Sequence, residues 1–351
     1  MTDGKAFLQS LIEDHGISGY EHGVAEKVVP VFQEFTPDVH IDRLGNVIAK
    51  LSGTGEGPRP KVMLAGHMDE IGMLVTKIDD RGFLRFHAFG FDQRTLPSQE
   101  VIVHGREPLV GIIGAKPPHL LSPEERTKAI KIENMTIDLG MSAEKVKQLV
   151  QVGDPITIRR NMIPLQGNMI AGKALDDRAG VVAIFECFKE LQRLHFSADV
   201  YGVATVQEEV GLRGAVVSAF GVAPDIGIAI DVCHGDMPGV SEFLTSPLGK
   251  GPTVGIGANI HPKVFQRLKE VGKEQRIPFH THAYPAGTGT DAWAIQVARA
   301  GVASAVISLP ERYMHTSVET LSYDDIVATG KLLAHFIASL DAAYVEGLSC
   351  Y

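Results

Sequence analysis

Ala174-Leu175-Asp176-Asp177-Arg178-Ala179-Gly180 opens a stretch that runs through a helical pattern into Val200-Tyr-Gly-Val-Ala-Thr-Val206 and ends in Gln207-Glu208-Glu209-Val210-Gly211. The apolar spacing predicts a helix over 178–195, with Val181, Val182, Ile184, Phe185, Phe188, Leu191 and Leu194 on one broad face. The unbroken apolar run that follows predicts a buried strand. Acidic pairs therefore stand at both ends of a single helix–strand unit. Neighbouring carboxylates repel and resist burial, so pairs flanked by hydrophobic runs call for a counter-charge. A divalent metal would supply it; two solvated loop ends are the ordinary alternative.

Outward from this unit the same texture recurs. Upstream, the apolar run Lys61-Val-Met-Leu-Ala-Gly66 reads as a buried strand delivering His67-Met-Asp69-Glu70-Ile-Gly72. Two residues apart on a strand end, His67 and Asp69 face the same way, so Asp69 can bond one imidazole nitrogen while the other binds metal. Downstream, a helix over 213–220 leads into a strand over 226–230 that ends at Asp231. A helix over 262–271 precedes Thr281-His282-Ala-Tyr284 and the turn Gly287-Thr-Gly-Thr290-Asp291, which reads equally as site-lining or structural. A strand over 303–309 runs out through Tyr313-Met-His315-Thr316, and a last helix, with Ser322 as N-cap and Asp325 at its third position, extends to about Tyr344. At the start, apolar spacing from Ala6 to Ile12 and over 21–35 predicts two helices joined by the turn Gly16-Ile-Ser-Gly19-Tyr-Glu21. The glycine-rich connection over 52–58 lacks a following Gly-Lys-Ser/Thr, which excludes a phosphate cradle.

From Met73 to about Met162 short alternating runs are broken by Gly, Pro and Asp, the pattern of a small β-barrel or sandwich. The expected fold is thus α/β: a mixed central sheet flanked by helices, built from residues 1–69 and 166–351, with an inserted β-rich barrel domain over 70–165. Within the insertion, Ala115-Lys-Pro-Pro-His119-Leu-Leu-Ser-Pro and the charged stretch 124–131 read as a flexible surface loop.

Composition narrows the function classes. The chain has 351 residues, 44% of them hydrophobic and 21% charged, which argues against disorder. A net charge of −9 with no basic cluster argues against nucleic acid as a partner. No apolar run reaches transmembrane length and the first residues lack a signal-peptide core, so no membrane partner is expected. Cys187, Cys233 and Cys350 show no disulfide or zinc-knuckle spacing, which fits a reducing cytoplasm, with Cys233 as a small buried hydrophobe.

Strand ends thus carry His67, Glu208–Glu209, Asp231 and His315, and Asp176 opens the intervening helix. Open α/β sheets place their sites beyond the carboxyl ends of strands, where such residues can converge. Histidines mixed with carboxylates suit zinc, cobalt or manganese better than magnesium. The number of ligands points to two ions, and Asp176, Glu208, Glu209 and Asp231 would balance two divalent charges.

The set His67-x-Asp69-Glu70, Leu175-Asp176-Asp177-Arg178, Glu208-Glu209-Val-Gly211, Asp231 and Tyr313-Met-His315-Thr resembles the co-catalytic metallo-aminopeptidases of metallopeptidase family forty-two. That family includes glutamyl, deblocking and tetrahedral self-compartmentalising aminopeptidases, and some members carry a cellulase or endoglucanase label. The resemblance covers nearly the whole chain. It implies a zinc exopeptidase-like fold and two divalent ions per subunit, zinc or cobalt first and manganese next. Asp176 would bridge them, with His67 and Asp231 on one and Glu209 and His315 on the other. It further implies Glu208 as general base for a metal-bridging water, Asp69 orienting His67, and a cis peptide after Asp176. Short peptides would be the substrates, their α-ammonium beside the acidic ligands. The insertion would make dimers that build a tetrahedral dodecamer, with the His119 loop reaching a neighbour's site. Related deacylases and carboxypeptidases carry their extra domain after the Glu pair; here it lies between His67 and Asp176.

Competing readings are a glycoside hydrolase, a metal-dependent deacylase and a non-catalytic metal scaffold. Paired carboxylates can cleave sugars, but that leaves His67, His315 and Asp231 without a task and supplies one tryptophan, Trp293, as sugar platform. In a mere scaffold Glu208 would be surplus to ligation. No basic side chain stands out to pair with an acidic first residue, so neutral, aliphatic N-termini are expected.

Overall fold

The apolar runs read as buried strands lie side by side in parallel at the centre of one mixed sheet. Asp199–Thr205, Lys61–His67, Ile226–His234 and Ala303–Arg312 form that centre. The sheet continues antiparallel through Val47–Leu51 to Val39–Ile41 on one side, and through Glu319–Ser322 and Met169–Gly172 to Ile163–Pro164 on the other. Thr253–Gly257 branches off Ala303–Arg312 and carries His280–Tyr284. The computed structural model describes residues 2–54 and 59–348; most of the glycine-rich connection and Cys350 lie outside the described residues.

Helices cover both faces, as parallel strands with two apolar faces require. On one face the helix Leu175–Leu191 packs against Gly4–Ile12 and Tyr323–Ala338. Its Phe185 and Phe188 meet the rings of Phe7, Phe32 and Phe35 at 5.5–5.7 Å. On the other, Arg213–Val222 and Asp291–Gln296 pack over Met63, Ala65 and Val203. No helix among the described residues is long and apolar enough to cross a membrane.

The β-rich insertion is a closed six-stranded antiparallel barrel, in the order Gly72–Ile78, Leu84–Phe89, Ile137–Asp138, Pro108–Ile113, Glu100–His104 and Pro155–Ile158. It has its own core of Met73, Val75, Leu84, Val101, Val103, Ile137 and Ile156. The loop after Ile113 is exposed and forms short 3-10 turns, one of them Pro118–Leu120.

Several boundaries differ from the sequence pattern. The first long helix starts at Leu175, with non-helical Asp176 and Asp177 inside it, and stops at Leu191, after which Leu194 and Phe196 fold back onto the core. The last helix ends at Ala338 rather than near Tyr344; Asp341 caps a separate turn, Ala342–Glu346, by accepting from the Tyr344 N–H. Ser322 makes no side-chain cap bond, and the Asp325 carboxylate instead accepts the Gly249 and Gly251 N–H groups, both at 2.7 Å. Those glycines have φ of 71° and 92°, and the buried Gly251 amide needs an acceptor from elsewhere. Asp231 does not end its strand, which runs on to His234, but it lies beyond the last pair with Lys61–His67, at Ala229.

Candidate metal centre

His67 is the last residue of its strand and almost wholly buried. Its Nδ1 lies 3.0 Å from the Asp69 main-chain carbonyl, to which it must donate, leaving the Nε2 lone pair for a cation. The orienting contact expected from the Asp69 side chain is longer, 3.5 Å. That carboxylate is occupied elsewhere: Oδ1 accepts the Glu208 N–H at 3.0 Å, and Oδ2 accepts the Ser18 hydroxyl at 2.6 Å and the Glu209 N–H at 3.2 Å. Past Thr205 the chain leaves the ladder, and its amides need other acceptors.

Asp176 stands two residues after Ala174, whose φ is 55°, and is joined to Asp177 by a cis peptide. The N–H groups of Leu175 and Asp176 donate to Glu319 Oε2 at 2.8 and 3.2 Å. The two Asp176 oxygens face different imidazoles: Oδ1 is 3.1 Å from His67 Nε2, and Oδ2 is 3.3 Å from His315 Nε2. His315 Nε2 also lies 3.4 Å from Glu209 Oε1, a buried oxygen that accepts no hydrogen bond. Tyr313 and His315 have φ near 60°, so the chain turns sharply to bring the ring back over the sheet end. Glu208 reaches within 3.9 Å of His67 Nε2. Asp231 is buried, with Oδ1 turned to the Val232 N–H.

Two overlapping groups of donors result, each within 4.8 Å: His67, Asp176 and Glu209, and His67, Asp177 and Asp231. Asp177 was outside the expected ligand set, and its oxygens accept the His67 and Gly180 N–H groups at 3.1 and 3.0 Å. It braces the His67 backbone from a wholly buried position.

The electrostatics of this cluster are those of an incomplete charge set. Burial, reinforced by Asp231, Asp291 and Glu209, pushes the Glu208 carboxyl up to about 10. Burial and Asp176 also raise Asp231 well above the carboxylate range. The close carboxylates of Asp176 and Glu209 push the His315 imidazole up to about 11. For His67 burial favours the neutral ring, but the Asp176 and Asp69 contacts outweigh it and raise the pKa. The carboxylates thus demand positive charge, and imidazole plus carboxylate oxygen is the donor set borderline divalent cations take. The residues present fit such ions.

The cluster floors a cavity of about 290 Å³. Val232, Cys233, Leu244, Ser246, Tyr284 and Met314 form much of its wall, together with His234, His282, Thr288, Gly289 and Thr290. Thr288 and Thr290 therefore do line the site. Asp291 lies behind them, buried, with Oδ2 accepting the Thr205 hydroxyl at 2.6 Å. His119 lies in the exposed barrel loop and is not part of the cavity wall. Ser18, Glu21 and Glu319 support the site without a role having been expected of them, as does Asp177, which was read only as half of an acidic pair. The acid in the turn Gly16–Glu21 and the Asp176–Asp177 pair carried a sequence signal; Glu319 carried none.

The family described as M42 glutamyl aminopeptidase matches residues 45–332. A lysyl aminopeptidase of Pyrococcus furiosus is 38% identical over 339 residues, which cover 95% of this chain and 96% of that protein. Among solved structures, a TET aminopeptidase from a marine sediment Thaumarchaeota archaeon superposes with a TM-score of 0.93 at 35% identity, over 99% of each chain. The TET1 peptidase of Pyrococcus horikoshii, which can assemble into a tetrahedron or a large octahedral shell, gives 0.84 at 32% identity, over 96% of this chain and all of that one.

Proposed function

The chain belongs to the M42 family of aminopeptidases, and from that premise we propose that it removes the N-terminal residue of short peptides with two divalent ions at this centre. The observation that carries the reading is the pair of Asp176 oxygens, each turned to a different histidine, as a bridging carboxylate requires. His67 and Asp231 would hold one ion, Glu209 and His315 the other, with Asp176 between them. Zinc or cobalt suits these donors, and manganese is the next candidate. Such ions acidify water and polarise a carbonyl oxygen.

The chain's own residues supply the rest. Glu208, which reaches within 3.9 Å of His67 Nε2 and would regain its negative charge beside bound cations, is placed to take a proton from the attacking water and return it to the leaving amine. The acidic floor favours a substrate α-ammonium, which selects the free N-terminus over an internal bond. Beyond the ligands, Val232, Cys233, Leu244, Tyr284 and Met314 offer no fixed charge to the first side chain, in keeping with neutral, aliphatic residues. A glycoside hydrolase would leave both histidines idle. Glu208→Gln should retain both ions and lose at least about a hundredfold in kcat. Full turnover in that variant would remove Glu208 from the role of base.

The insertion, 70–165, is read as the dimerisation unit, and the dimers as the building blocks of a tetrahedral dodecamer, as the assembly of the Pyrococcus horikoshii relative supports. On the barrel's outer face Val110 and Ile112 stand about half exposed, apolar side chains for a second copy to cover.

A further inference from the structure

The stretch that carries Glu208 and Glu209 leaves the sheet with four consecutive N–H groups to satisfy, and each is taken by a side chain from a remote segment. The Val206 N–H donates to Asn46 Oδ1 at 3.0 Å and the Gln207 N–H to Glu21 Oε1 at 3.0 Å. The Glu208 and Glu209 N–H groups go to the two oxygens of Asp69 at 3.0 and 3.2 Å. The acceptors come from three places: the start of a sheet strand, the N-terminal turn, and the loop after His67. The N-terminal turn holds the stretch twice, because Ser18 donates to Asp69 Oδ2 at 2.6 Å while Glu21 takes Gln207.

Glu21 is buried, and its Oε1 also accepts the Gly19 N–H at 2.8 Å, which folds the turn onto its own carboxylate. Gln207 has φ of 57°, a left-handed conformation that an unbraced glutamine would abandon. That bend sets the direction in which the segment carrying the next two side chains leaves the sheet. The course of Glu208 and Glu209 away from the sheet end therefore depends on the backbone at 207 being held.

We infer that Glu21, with Ser18, is a positioning residue: it locks Gln207 and so aims Glu208 at the reacting centre. The inference rests on the reading of Glu208 as base. Glu21 touches neither substrate nor ligand and acts only through the main chain.

The test uses Glu21→Ala, Glu21→Gln and Glu208→Gln in the full-length, metal-loaded enzyme, alone and combined. Glu21→Ala should speed amide hydrogen exchange in the 206–209 segment and lower kcat about tenfold or more, with KM changed less than about threefold, the loss of one charge-assisted hydrogen bond. Glu21→Gln keeps an acceptor oxygen in place and should stay within about threefold of the parent. In the Glu208→Gln background, Glu21→Ala should add less than about twofold to the residual loss, because its partner is already gone. Should Glu21→Ala fail to fold, Glu21→Asp, one methylene too short to reach Gln207, carries the same expectations. Unchanged exchange and kcat, or an additive loss in the double variant, would overturn the inference. An active Glu208→Gln would instead sink the base assignment, leaving the exchange result to decide whether Glu21 holds the stretch.

Discussion

Among single residues, the side chains that converge on the cluster were legible because each is a polar residue ending or following an apolar run: His67 after Lys61–Gly66, the Glu pair after 200–206, His315 after 303–309. What surrounds them was not, because a brace is recognised only by the amide it meets. Glu319 holds the Asp176 backbone from more than a hundred positions away. Glu70, quoted with the His67 motif, proves structural: it pairs with Lys173 Nζ at 2.8 Å and Arg178 Nη2 at 3.1 Å. Arg178 is wholly buried and also donates to the main-chain carbonyls of Met68, Leu11 and Asp14. Arg178→Leu should therefore cost about 3–5 kcal/mol, since it strands those carbonyls and half of Glu70's compensation. The denaturant midpoint checks this. A cost under about 1 kcal/mol would show that the network is not holding the first helix to the site.

At the level of elements, His67 is set by a close approach of strand to helix. A Cβ on Gly66 would stand 2.9 Å from the Gly180 carbonyl carbon and 3.0 Å from the Val181 nitrogen, both backbone atoms that cannot step aside. Gly66→Ala should destabilise by about 1–3 kcal/mol and weaken metal retention, read by metal content after dialysis. Retention equal to the parent would mean that the helix and His67 adjust independently. The barrel meets the main sheet layer through another pair, His15 and His104, stacked 3.9 Å apart, with His22 edge-on to His15. Burial, with His15 adding repulsion, pushes His104 down to about 4, against Glu70 and Asp14, which pull it up, and alongside Lys173. The folded chain then holds His104 neutral where the unfolded chain protonates it near 6.5. Stability from this group is intact above pH 6.5 and is lost as pH falls toward 4. His104→Gln should flatten the decline of melting temperature over that window. An unchanged acid decline in the variant would place the acid sensitivity elsewhere.

For the whole molecule, the parallel centre and the inserted barrel were legible as a change of texture, from long apolar runs to short alternating ones. The barrel was expected from that texture, but the pairing that closes it was not, since it joins Glu100–His104 to Pro155–Ile158 across some fifty residues. The fate of the half-exposed Val110 and Ile112 belongs to this scale too. Ile112→Asp should convert the assembly to monomers in sedimentation while leaving the helical circular dichroism unchanged. A variant that sediments like the parent would take the barrel face out of the interface.

The two-ion reading turns on Asp176. The most direct measurement is anomalous diffraction from crystals grown with zinc. Two peaks are expected about 3.5–4 Å apart, one on each side of Asp176, with His67 and Asp231 on the first and Glu209 and His315 on the second. No peak at this cluster, or one lying away from Asp176 and both histidines, would contradict the two-ion centre and the aminopeptidase chemistry built on it.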